Sequence, residues 1–187
     1  MEYIKVEDKH YRLLHPRPAY IVAAGRPGGP SGVMAASWVT PVSEDPPRVA
    51  VMWEKDSHTL SIARDTGCFT INIVGSDMLD KLWRVGTVSG WEEPSKAEKA
   101  GLRLVESPSG CIRVDGVLGY IDARIYRVLE DVAEDVDIVI GDIVEAYASK
   151  DLYNPRRGWN VYKAPIPLQV AGKAFTLPGR IIYPSKK

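Results

Sequence analysis

The chain has 187 residues, with 24 Lys and Arg balanced by 24 Asp and Glu for a formal charge of zero. That length suits one domain with a real core, burying about 70% of its unfolded surface, and is short for two. A neutral balance gives no pull on phosphodiester polymers or anionic lipid, so neither nucleic acid nor membrane is expected as a partner. The longest uncharged run, Pro27 to Ser43, is broken by Pro and Gly and falls short of the roughly 20 apolar residues that span a bilayer.

In chain order, strand signals come first. Ala19 to Ala24, Val33 to Val39 and Val49 to Trp53 are short β-prone runs separated by Gly/Pro punctuation, which predicts a β-meander. In and just beyond the second run, small residues lead into Trp38 and Thr40, and Pro46-Pro47 closes the segment. A strand with such short side chains lets a flat ligand lie against backbone N–H and C=O groups. The plainer alternative is a core strand in which Ala35 and Ala36 pack beside Trp38. Two details favour the ligand shelf: the hydroxyls of Ser37 and Thr40 on a buried strand require partners, and Pro41 with Pro46-Pro47 stiffens the backbone at a sheet margin.

Ser57 to Thr66 has a helical period, with Thr59, Ile62, Ala63 and Thr66 on one side and Gly67 as the stop. Lys55 to Thr59 stands at the strand-to-helix junction, where free N–H groups, the positive end of the helix dipole, a lysine and two hydroxyls would make an anion socket. Asp56 or Ser57 acting only as an N-cap explains the same residues without a ligand. Cys68 to Val74 reads as strand, Asp77 to Val85 as a second helix, and Gly86 to Leu102 as loop with a short helix. Val117 to Val128 and Asp137 to Ala148 are two long paired strands, with Leu118, Tyr120, Asp122, Arg124, Tyr126 and Val128 predicted on one face. The acidic run Glu130 to Asp137 between them reads as a solvated hairpin tip. Arg156-Arg157-Gly158-Trp159 reads either as a clamp on the phosphate of a nicotinamide nucleotide or as surface packing of Arg on Trp. Ile181-Ile182-Tyr183 reads as one last strand or a partner contact.

Cys68 and Cys111 lie far apart with no metal or redox spacing, and are expected to be buried thiols of a cytoplasmic protein. His10, His15 and His58 have no paired spacing, so no metal is expected.

The runs MAASWVTPVSEDPPRVAV (34–51) and EKDSHTLSIARDTGCFTINIV (54–74) closely resemble the flavin reductase-like family of FMN-binding split barrels. Four further stretches extend the resemblance in order: GTVSG (86–90), KAEKAGLRLVES (96–107), IGDIV (140–144) and PLQVAGKAF (167–175). The resemblance implies a mainly β chain with short helices, folded as a six-stranded Greek-key split β-barrel that forms a homodimer with FMN near the interface. Carried over by position, Ala36, Ser37, Trp38, Val39 and Thr40 would border the isoalloxazine. Lys55, Ser57, His58 and Thr59 would surround the phosphate, and Asn72, Thr87 and Ser89 would approach the flavin. The implied activity is hydride transfer from NADH or NADPH to flavin. The alternative is a flavoredoxin-like FMN electron carrier served by a redox partner protein. The sequence departs from the family at Val136-Asp137, where many reductases carry Gly-Asp-His, and at Lys173, where a second Gly is usual.

Overall fold

The computed structural model of the chain describes residues 1–185. After a 3-10 turn at His10–Leu14 and the short strand β1 (Arg17–Pro18) come two hairpins, β2 (Tyr20–Gly25) with β3 (Ser31–Ala36) and β4 (Val39–Glu44) with β5 (Pro47–Glu54). Helix α1 (His58–Thr66) leads into β6 (Cys68–Ile73), and α2 (Leu79–Thr87) and α3 (Lys96–Lys99) lead into the small hairpin β7 (Leu104–Glu106) and β8 (Ile112–Val114). The long pair β9 (Gly119–Leu129) and β10 (Val136–Ala148) follows, then two small hairpins, β11 (Tyr153–Asn154) with β12 (Gly158–Trp159) and β13 (Leu168–Ala171) with β14 (Ala174–Thr176). Seven strands form one antiparallel sheet in the order β3-β2-β6-β9-β10-β5-β4.

The predicted meander is corrected by this order, because hairpins β2–β3 and β4–β5 stand at opposite ends of the sheet. The run predicted as one strand breaks at Ser37–Trp38, and there the chain crosses from one sheet edge to the other. Met52 N donates to Trp38 O at 3.1 Å, which fixes the crossing on β5. The two edges are brought together: Ala36 from β3 and Val39 from β4 share one apolar cluster with Val51, Trp53, Phe69 and the buried face of α1. The sheet is therefore rolled, with α1 contributing Leu60, Ile62 and Ala63 to its interior. Pro41 falls on β4, the last strand of the order, where its missing N–H leaves no neighbour unpaired.

The central strands show continuous burial instead of alternation. Ile21 to Ala24 on β2 and every residue of β6 are buried, because the barrel interior covers one face and α2, α3 and β8 cover the other. Polar residues on the covered outer face are tied down. Thr70 Oγ1 donates to Ile112 O at 2.8 Å, and Asn72 Oδ1 accepts from Val114 N at 2.9 Å while its Nδ2 donates to Ile21 O at 3.0 Å.

Beneath that layer the expectation of two free thiols is overturned. Cys68 on β6 and Cys111 just before β8 form a disulfide with Cα atoms 6.2 Å apart. A separation of 43 residues carries no distance information in the sequence; the β7–β8 hairpin, which the sequence reading missed, brings the second cysteine over the first. The predicted single face of β9 is corrected: a bulge opposite Ile140 and Gly141 turns Val128 to the barrel interior with Ile121 and Ile125, while on the other face Asp122 is fully buried and Tyr126 is exposed. The acidic turn 130–135 is largely exposed, but Asp137 belongs to β10, is 2% exposed and pairs with Arg64 at 2.6 Å. Ile181 to Tyr183 forms no strand and lies exposed.

Candidate functional site

The break at Ser37–Trp38 opens a groove of about 640 Å³. Its floor is the end of β3, Met34 to Ala36, and the crossing residues Ser37 and Trp38. One wall is the C-terminal end of β5 and the start of α1; the other is the end of α2 with the loop 88–91. The small residues of β3 serve both uses weighed from the sequence. Ala35 and Gly86 let α2 approach, since a Cβ added to Gly86 would lie 2.7 Å from the Ala35 Cβ, while Ala36 packs into the barrel cluster at the edge of the groove and Ser37 lines it.

Ser57 is the N-cap of α1, its Oγ accepting from Leu60 N at 3.4 Å, so the bland reading of that serine holds. It also lines the groove, with His58 and the buried Thr59. The His58 ring meets Trp91 edge-on at 4.8 Å, and Trp91 Nε1 donates to Asp56 O at 2.6 Å, which clasps the loop onto the helix start. Gly90 makes that closure possible: a Cβ there would stand 2.5 Å from His58 Nδ1. Among the described residues that Nδ1 is buried without a hydrogen-bond partner.

Lys96 is the group the sequence reading missed as a site residue. Its side chain is buried and lines the groove, and Nζ donates to Val85 O at 2.9 Å and Val88 O at 2.7 Å. Two carbonyls use two of its three N–H groups, which leaves one donor. Glu93, the carboxylate on the adjoining loop, is held instead by Arg84 and Lys99. Burial pushes the Lys96 ammonium below the usual lysine range, against an upward pull from Glu54 and Glu93. His58 is pushed down by burial and then by the Lys96 charge. Nothing in a four-residue helix distinguishes buried Lys96 from exposed Lys99; only the loop that folds over it does.

Of the residues expected at the site, the groove gathers Ala36, Ser37, Trp38, Ser57, His58, Thr59, Thr87 and Ser89. Four lie elsewhere. Val39 joins the barrel core, and Thr40 is exposed, so its hydroxyl needs no buried partner. Asn72 is fully buried in the bonds described above. Lys55 turns to the far side of α1, donating to Glu130 O at 2.8 Å and standing 3.9 Å from Asp137. Thr87 Oγ1 donates back to Trp83 O at 3.0 Å, and Ser89 Oγ accepts from Trp91 N at 3.2 Å. Tyr11 meets Trp38 edge-on at 5.2 Å at the open end, and Glu54, Asp56 and Asp135 give the groove an acidic rim on the side of β5 and the start of α1.

A model of the flavin reductase like domain matches residues 11–165. The chain belongs to the flavin reductase-like family. An uncharacterized protein of Pyrococcus abyssi is 35% identical over 119 residues, 62% of this chain and 66% of that protein. Flavoredoxin of Desulfovibrio vulgaris (Miyazaki F) matches with a TM-score of 0.83 at 19% identity, over 98% of this chain and 97% of its own. The FMN-binding domain of a flavin reductases-like enzyme from Shewanella baltica matches at 0.79 and 24% identity, over 94% and 93%. At these identities the structural likenesses establish the split-barrel fold expected of the family. In this member of the flavin reductase-like family, Val136 lies on the groove at the position where the sequence departs from Gly-Asp-His.

Proposed function

We propose that the groove holds FMN and that the chain is an oxidoreductase of the flavin reductase type. The observation that carries this reading is the buried ammonium of Lys96, with a donor to spare and no carboxylate partner among the described residues, set beside the start of α1 at one end of a cleft floored by small residues. A buried cation demands an anion, and a phosphate ester meets that demand while the unpartnered His58 Nδ1 offers a further contact. The volume is within the range of about 300–1,000 Å³ typical of small-molecule sites.

In this reading Lys96, His58, Thr59 and the free N–H groups of α1 hold the phosphate. Ala36, Ser37 and Trp38 border the ring, partly through backbone groups. FMN would supply the acceptor for a hydride from NADH or NADPH, chemistry that asks no acid or base of the protein. The chain's part is to bind and orient: Trp38 and Tyr11 bound the open end, and Trp91 clasps the closed one.

A second reading, an FMN electron carrier reduced by a redox partner protein, is favoured by the acidic rim. Glu54, Asp56 and Asp135 would meet the phosphates of a nicotinamide dinucleotide with like charge. The homodimer is part of the proposal, and the exposed Tyr126, Val144 and Tyr147 on β9 and β10 give it an apolar surface. The test is the visible spectrum after FMN addition, followed by anaerobic NADPH and NADH. Absorbance near 450 nm that bleaches with either nucleotide supports the reductase. A yellow protein that neither nucleotide bleaches supports the carrier, and a protein that takes up no FMN removes both.

A further inference from the structure

A second hollow in the described part of the chain, larger by volume than the groove, is not a continuation of it. About 740 Å³ of space lies over the far end of β10, between the β11–β12 hairpin and the tail segment that carries Ile181 and Tyr183. The groove touches β10 at Val136, and the hollow begins just past Ala148, beyond all 13 residues of the strand. At about 3.3 Å per residue that is some 40 Å of strand, more than one small ligand reaches within a single chain.

Two features define the hollow. First, it has an aromatic wall held in place. Tyr153 and Trp159 are cross-strand partners with ring centroids 5.2 Å apart, and Trp159 packs against Gly119, where an added Cβ would lie 3.1 Å from the indole. The opposite wall is pinned where Ile181 N donates to the Tyr162 hydroxyl at 3.1 Å. Second, its polar groups are mostly donors. Lys150 and Arg157 line it, and among the described residues neither is in an ion pair, against the single carboxylate of Asp151. Asn154 and Asn160 spend their Oδ1 atoms on the backbone N–H groups of Arg156 and Tyr162, at 2.9 and 3.2 Å, so their amide NH₂ groups remain available.

An aromatic platform beside two unpaired cations and spare amide donors fits a planar ring that carries a phosphate. We propose that this hollow is a second, nucleotide-binding site, with the base against Trp159 and Tyr153 and the phosphate on Arg157 and Lys150. Where the sequence offered Arg156-Arg157-Gly158-Trp159 as a clamp on a nicotinamide nucleotide phosphate, the proposal gives Arg157 and Trp159 a nucleotide separate from the ligand of the groove. The proposal does not depend on the flavin reading.

Calorimetric titration of the full chain with AMP, adenosine and inorganic phosphate tests it. AMP is expected to bind at least about 10-fold more tightly than either part alone, and to weaken as salt is raised. Arg157→Ala, on an exposed turn, is expected to lower AMP affinity about 10-fold, with an unchanged urea midpoint as the check on folding. Trp159→Leu is expected to reduce AMP and adenosine binding together. No saturable binding of AMP at millimolar concentration, full competition between AMP and FMN, or an Arg157→Ala protein with unaltered AMP affinity would each overturn the proposal.

Discussion

Replacing Lys96 by Met keeps the length of the side chain and removes its charge, so it isolates what the buried ammonium does. In the folded chain the lysine satisfies Val85 O and Val88 O. Their loss costs stability of about 1–3 kcal/mol each if they stay dry, partly offset because a desolvated charge is no longer buried. For binding, one charge-assisted hydrogen bond to a phosphate contributes about 1.5–3 kcal/mol, and a pair of unit charges about 4 Å apart at an effective dielectric of 20 interacts by about 4 kcal/mol. A net loss near 2–3 kcal/mol is therefore expected, or about 30- to 150-fold in Kd. The assay is a flavin fluorescence titration run in parallel with FMN and riboflavin, which share the ring and differ in the phosphate. Lys96→Met is expected to weaken FMN by that factor and leave riboflavin nearly unchanged. Equal losses for both would mean that the variant has distorted the groove, and no loss for FMN would mean that the phosphate does not meet Lys96. Either result would refute the electrostatic argument.

Cys68→Ala with Cys111→Ala is expected to cost about 4 kcal/mol, from the loop entropy of a 43-residue separation, read as a fall in the urea midpoint that reducing agent reproduces in the parent chain. Gly90→Ala forces a Cβ to within 2.9 Å of the His58 Cβ and Cγ and is expected to destabilise by about 1–3 kcal/mol and to weaken FMN binding. Because His58 is held below its ordinary value, the unfolded chain takes up the proton first. Its contribution to stability is full above pH of about 6.5 and is lost as pH falls from there towards the folded value; His58→Gln should flatten that limb of a pH–stability curve. The acidic rim predicts that the reduced protein is reoxidised faster by a cationic oxidant such as hexaammineruthenium(III) than its driving force alone allows, and ferricyanide more slowly, the two converging as salt is raised. A salt-independent ratio would remove the rim as a selector of partners.

The local signals that the sequence carries were sound where one segment decides its own state. α1 forms where the apolar period and Gly67 place it, Ser57 caps it, and β9 and β10 pair along nearly the predicted lengths. The six ordered stretches identified the family because each is a short, contiguous pattern. Several site residues were legible for the same reason: Ala36 to Trp38 and Ser57 to Thr59 are consecutive, so any fold that exposes one exposes its neighbours to the same cleft.

What only the tertiary structure decided are the relations between segments far apart in the chain. A strand break at Ser37–Trp38 costs two residues of pattern yet sends the second hairpin to the opposite edge of the sheet. Lys55 and Lys96 look alike as lysines at or just before helix starts, but Asp137 and the main-chain carbonyl of Glu130 draw one side chain away from the groove while the carbonyls of Val85 and Val88 draw the other in. Cys68 and Cys111 meet because a hairpin with weak strand signals lies across β6. Composition and period report the free energy of a residue against water and its near neighbours in the chain; the direction of a long polar side chain, and the partner of a buried one, are set by groups that the fold alone brings within a few ångströms.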